Sequence, residues 1–83
     1  MNRSQILNVV LKHLRRNVDG LDHVEIDPMH SMAEYQASSL DIVEVVSASM
    51  RELEIRIPRT RLGQLTNIND LVDLFHEVKN QTA

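Results

Sequence analysis

The side chains best placed for chemistry in this chain are two adjacent serines, Ser38 and Ser39, within the run Tyr35 to Val45, YQASSLDIVEV. Ser38 is followed three residues later by Asp41, the spacing of an [ST]-x-x-[DE] capping box. In such a box the Ser38 hydroxyl accepts from the backbone N–H of Asp41, while the Asp41 carboxylate accepts from the N–H of Ser38. Ser39 then becomes the first helical residue, exposed on a turn whose amides lack intrahelical partners. A phosphoryl group on its oxygen would meet those amides and the positive end of the helix dipole. The same spacing also fits a plain helix cap with no covalent role.

Other chemistries find less support. The chain has no cysteine, so a disulfide framework, a thiolate nucleophile and a thiolate metal site are all ruled out. His13, His23, His30 and His76 include no pair at the i, i+4 spacing of a helical zinc site, and no metal is expected. Ser39 lacks a Gly-x-Ser-x-Gly elbow, and 83 residues leave little room for a triad with an oxyanion pocket. The only glycines, Gly20 and Gly63, cannot make a Gly-rich phosphate loop. Catalysis by this chain alone is not expected.

Four helical patterns position the serines, and no strand pattern competes. The first helix is expected from Ser4, read as its N-cap, to about Asn17, with Ile6, Leu7, Val10, Leu11 and Leu14 as its apolar stripe. Gly20 stands just past its end. Residues 18–38 form a long connection in which Leu21, Val24, Ile26, Met29, Met32 and Tyr35 recur. So many apolar residues imply a loop tacked onto the core, with the Tyr35 hydroxyl needing a partner if its ring is buried. The second helix is expected from Ser39 to Leu53, burying Leu40, Val43, Val46, Met50 and Leu53, with Ile42 and Val45 widening that side. Ile55 and Ile57, before Pro58, read as core plugs in an extended loop. A short third helix from Arg59 to Gln64 would turn Leu62 and Leu65 inward. The fourth begins at Asn67 or Asn69, with Asn67 and Asp70 repeating the capping spacing, and buries Leu71, Val72, Phe75 and Val78. Its tail, Asn80 to Ala83, is expected to fray.

This layout describes an all-α fold: a small four-helix bundle with a long loop between helices 1 and 2 and a short third helix. At this length residues 1–83 make one domain. One Phe, one Tyr and no Trp leave Leu, Ile, Val and Met to build the core. No apolar run is long enough to span a bilayer, and the amphipathic start is unlike a signal peptide, so a soluble cytoplasmic protein is the default.

Net charge is −3, but it is distributed in blocks. Residues 1–16 hold Arg3, Lys12, Arg15 and Arg16 and no acid; residues 17–44 hold seven acids, Asp41 and Glu44 among them, and no Lys or Arg. Residues 45–66 return to a positive balance with Arg51, Arg56, Arg59 and Arg61. The blocks are either solvated faces or a field that steers basic partners to Ser39. Nucleic acid is not an expected partner, given the net negative charge and the lack of interleaved aromatics.

The run Gln36-Ala37-Ser38-Ser39-Leu40-Asp41, continued by Ile42-Val43-Glu44, resembles the attachment motif of acyl carrier proteins, a Gly-x-Asp-Ser-Leu-Asp run that opens the second helix. Gln36 stands at the usual glycine and Ser38 at the usual aspartate. Ile26-Asp27-Pro28 and Ser31-Met32-Ala33-Glu34 are similar to the segment that precedes that motif. The likeness is specific over residues 26–46 and covers nearly the whole chain in layout. It implies a 4'-phosphopantetheine arm attached covalently to Ser39 by a phosphopantetheinyl transferase that uses coenzyme A. The arm's thiol would hold acyl groups as thioesters for fatty acid, polyketide or related specialised lipid synthesis.

The implied partners are that transferase and acyl-loading and acyl-processing enzymes, met by a free-standing monomer. Asp41, Glu44, Arg51 and Arg59 are the expected docking residues, with Asp41 serving mainly in the helix cap and Glu44 either docking or simply solvated. Such carriers are commonly acidic along the second helix, so Arg51 and the arginines near Pro58 depart from the family and point to different partners. Two alternatives remain: an aminoacyl or peptidyl carrier of the same fold, and an unmodified helical protein-interaction module.

Overall fold

The computed structural model describes residues 1–63 and 65–81, with Arg59 described by its backbone alone. Four α-helices follow one another: α1 Arg3–Asn17, α2 Ser39–Leu53, α3 Arg59–Leu62 and α4 Ile68–Gln81. A 3₁₀ helix, Met32–Tyr35, interrupts the long connection between α1 and α2. No strand forms among the described residues. The expected bundle, with one long loop and one short helix, is the fold.

α1 starts earlier than its pattern suggested. Its N-cap is Asn2, not Ser4: the Asn2 side chain accepts from the Gln5 amide at 2.9 Å and the Gln5 side chain accepts from the Asn2 amide at 3.0 Å. An Asn-x-x-Gln pair thus builds the reciprocal box that Ser and Glu usually build, and Ser4 falls inside the first turn. α3 stops at Leu62; Gln64, where its end was expected, lies outside the described residues. α4 continues through Asn80 and Gln81, where fraying was expected, while Thr82 and Ala83 lie outside the described residues.

The core sits where α1 packs on α2 and α4. Ile6, Val10 and Leu14 of α1 meet Val45 and Leu53 of α2 and Ile68, Leu71, Val72 and Phe75 of α4 in one apolar cluster. Ile55 and Ile57 plug it from the loop after α2, as expected. Of the long connection, Leu21, Ile26 and Met32 are buried, but Val24 and Met29 are exposed. The Tyr35 hydroxyl has its partner, accepting from the Asp27 amide at 2.7 Å.

The connection is also tied down by its backbone. The carbonyls of His30 and Pro28 accept from the amides of Ile68 and Asn69 at 3.0 and 2.8 Å. The Asn67 side chain takes the Asp70 amide at 2.7 Å, so the first turn of α4 has its donors satisfied by the loop and by its own cap. At the other end of the bundle, Glu52 of α2 accepts from Lys12 at 2.6 Å and contacts His13 Nε2 at 2.9 Å. These contacts, from Lys12 first and His13 second, hold the Glu52 carboxyl below the usual carboxylate range. Among the described residues no helix is long and apolar enough to cross a membrane.

Candidate functional site

α2 begins as its sequence prescribes. Ser38 is its N-cap, with extended backbone; its hydroxyl accepts from the Asp41 amide at 3.1 Å, and the Asp41 carboxylate accepts from the Ser38 amide at 2.9 Å. The Ile42 amide bonds the Ser38 carbonyl at 2.9 Å. Among the first four amides of the helix, those of Ser39 and Leu40 are therefore left without a helical partner. Ser39 is the first helical residue and is exposed. Its hydroxyl stands in solvent beside two open N–H groups at the positive end of a 15-residue helix.

The segment before it is equally fixed. Ser31 and Glu34 form a further capping box around the 3₁₀ helix, with the Ser31 amide donating to Glu34 at 2.6 Å. Its Ser-x-x-Glu spacing was a legible signal that the sequence reading passed over. Gln36 ends the 3₁₀ helix in left-handed backbone at φ 69°, and the buried Ala37 bonds the Met32 carbonyl at 3.3 Å. Ser39 is thus presented from a pinned loop.

The outward face of α2 differs from the expected one. Leu40 and Val43, expected in the core, are 82% and 60% exposed. The buried stripe instead runs through Val45, Ser49 and Leu53, with Ile42, Val46 and Met50 half-buried at its border. Leu40 shares its side of α2 with Glu44, Ser47 and Arg51, at i+4, i+7 and i+11, and Val43 stands at the edge of the apolar stripe. α1 packs on the Val45–Ser49–Leu53 side, which leaves Leu40 and Val43 facing solvent next to Ser39. Glu44 and Arg51 are also exposed, while Asp41 is held in the cap. The side chain of Arg59 lies outside the described residues.

Beside this face a groove of about 630 Å³ runs between α2, the 3₁₀ helix, α3 and the start of α4. Ile42, Val46 and Met50 form one wall, and Ile57, Leu62, Leu65 and Leu71 the other. Ser31, Ser47, Thr66 and Asn67 add polar groups to a largely apolar lining. A volume of this size is typical of a small-molecule site. The four histidines do not converge: among the described residues no group of three or more His, Asp or Glu could hold a metal.

Together these features define a class: a small helical bundle that presents one serine at a helix start, next to an apolar groove. Residues 9–75 match the family described as "Phosphopantetheine attachment site", and the chain belongs to that family of carrier proteins. It is similar over its full length to the polyketide biosynthesis acyl-carrier-protein AcpK of Bacillus subtilis (strain 168), with 26% identity over 83 residues that cover all of both chains. Its fold matches a chain in the crystal structure of the curacin biosynthetic pathway HMG synthase in complex with acetyl donor-ACP. That match has a TM-score of 0.83 and 29% identity, covering 90% of this chain and 96% of the other.

Family membership brings a covalently bound 4'-phosphopantetheine. The structure fits the group: an exposed hydroxyl for a phosphodiester, open amides for its charge, and no protein thiol to compete with the one the arm supplies.

Proposed function

We propose that Ser39 is the residue that carries the phosphopantetheine arm, and that the chain, as one domain over residues 1–83, holds acyl groups on it for polyketide or related specialised lipid synthesis. The observation that carries this is the exposed Ser39 hydroxyl at the first position of α2, beside the open amides of Ser39 and Leu40. In the modification, the Ser39 oxygen bonds the phosphorus of the pantetheine phosphate as the pyrophosphate bond of coenzyme A breaks. The nucleoside bisphosphate leaves, and the serine proton passes to a base on the transferase. When bound, the arm supplies a thiol that forms a thioester; the chain's own residues orient, shelter and present it. Asp41 keeps the helix start in place through the cap, and the apolar groove offers cover to a hydrocarbon portion of the cargo.

The likeness to AcpK supports the polyketide assignment, and the likeness to a chain crystallised with an HMG synthase supports enzymes as partners. Those partners are a phosphopantetheinyl transferase and acyl-loading and acyl-processing enzymes, met by a cytoplasmic monomer that catalyses nothing itself. They would dock on the outward face of α2, with Leu40 and Val43 as apolar contacts, Glu44 and Arg51 as charges of opposite sign, and Arg59 as a further cation. Intact-mass measurement after incubation with coenzyme A and a broad-specificity transferase tests the reading. The wild type and Ser38→Ala should gain one phosphopantetheine and Ser39→Ala none. A wild type that gains nothing under any transferase would favour an unmodified interaction module.

A further inference from the structure

The Ser49 hydroxyl is fully buried and has no hydrogen-bond partner among the described residues. It does not bond even the carbonyl four residues back, that of Val45, which a helical serine commonly takes. Burying an unpaired hydroxyl costs stability, and alanine would fill the same place without that cost. A hydroxyl both donates and accepts, so a guest bearing a single oxygen would satisfy it.

Its place on α2 says which guest can reach it. Ser49 stands three residues after Val46 and seven after Ile42, spacings that put all three on one side of the helix. Ile42, Val46 and Met50 are the α2 wall of the groove, and each is only half-buried. Ser49 therefore lies one row behind that wall, toward the core. Met50 is unbranched and flexible, the side chain in the wall best able to swing aside. The groove also holds polar groups without a partner among the described residues: the Ser47 hydroxyl, and the NH2 of Asn67, whose side-chain oxygen is taken by the Asp70 amide. Along the helix axis Ile42 lies roughly 4.5 Å from Ser39 and Ser49 roughly 15 Å from it. An acyl group tethered at Ser39 is thus held beside this wall at high effective concentration.

We infer that Ser49 selects the cargo. The groove takes an acyl chain that carries oxygen along its length, a hydroxyacyl or ketoacyl group, and the Ser49 hydroxyl hydrogen-bonds that oxygen once Met50 moves aside. A purely hydrocarbon chain would leave Ser49, Ser47 and the Asn67 NH2 unpaired. The inference rests on Ser39 as the attachment residue and on the groove as the shelter of the cargo.

The test loads the wild type and Ser49→Ala with hexanoyl, 3-hydroxyhexanoyl and 5-hydroxyhexanoyl groups. A broad-specificity transferase installs them from the matching acyl-coenzyme A thioesters. Each Tm is read against the same protein carrying the unacylated arm, which removes the stability change of the substitution itself. In the wild type at least one hydroxylated cargo should raise Tm by about 4 °C or more above hexanoyl, the worth of one buried hydrogen bond in a domain of this size. In Ser49→Ala that gap should close. No gap in the wild type, or a gap that survives in Ser49→Ala, overturns the inference while the carrier reading stands. A wild type that gains no arm, read by intact mass, overturns both.

Discussion

Replacing Ser38 by alanine separates the cap from the hydroxyl next to it. The substitution removes the oxygen that accepts from the Asp41 amide at 3.1 Å, so that amide joins those of Ser39 and Leu40 without a helical or capping partner. The reciprocal bond, Ser38 amide to Asp41 carboxylate at 2.9 Å, uses backbone and survives in part. Loss of a serine N-cap costs about 1 kcal/mol, which lowers Tm by about 4–8 °C for a domain of this size. The same figure sets the functional effect: about 1 kcal/mol changes the opening of the first turn roughly fivefold. Arm transfer to Ser39 should therefore slow by no more than roughly that factor and never vanish. Asp41→Ala removes the other half of the box, and the double variant should lose less than the sum of the two, because both bonds depend on one geometry. Circular-dichroism melts and initial rates of mass gain measure the two effects. A Ser38→Ala melt within about 1 °C of the wild type, or complete loss of modification, would refute the division of labour between the serines.

Three further outcomes follow from the packing. Ser49 is fully buried in α2 and its hydroxyl has no hydrogen-bond partner among the described residues. Ser49→Ala should therefore stabilise by about 1 kcal/mol, seen as a higher denaturation midpoint at unchanged m-value. Glu52 titrates below its ordinary value of 4.5 in the folded state because Lys12 and His13 bond its carboxylate. Its stabilising contribution is thus full above that value and is lost as pH falls through the depressed folded pKa. Glu52→Gln should lower Tm at neutral pH, with the gap to the wild type closing below pH 4.5; a gap that persists in acid would contradict the pairing. Leu40, 82% exposed, should tolerate alanine within about 0.5 kcal/mol of stability. If the outward face of α2 docks enzymes, Leu40→Ala should still weaken transfer to a partner by about tenfold or more, because burying a leucine contributes about 1.5–3 kcal/mol. Equal transfer rates would remove Leu40 from the interface.

The helix starts that carry side-chain caps were legible where the signal was a familiar one. Ser38 with Asp41 and Asn67 with Asp70 were read at their true positions because the residue types state the geometry. Asn2 with Gln5 and Ser31 with Glu34 make the reciprocal bonds of Ser38 with Asp41, yet the first was missed for Ser4 and the second was passed over inside a loop. The inward side of α2 was misjudged at Leu40 although the spacing could have shown it: Glu44, Ser47 and Arg51, at i+4, i+7 and i+11, put Leu40 on the polar side of the helix. Val43 stands at the edge of the apolar stripe, where only the packing of the other helices decides the outcome, and those contacts are long-range. The left-handed backbone of Gln36 was invisible for a different reason: glutamine does not advertise a positive φ as glycine does. Its place at the glycine of the resembled motif was the one available hint. The groove was equally out of reach, since it forms between four segments separated in the chain.

Fragmentation of the modified protein, locating the added phosphopantetheine residue by residue, tests the assignment of Ser39 most directly. The arm should be found on Ser39 alone, with the adjoining Ser38 unmodified even when Ser39 is replaced by alanine. An arm on Ser38, on any other hydroxyl, or still gained by Ser39→Ala would contradict it.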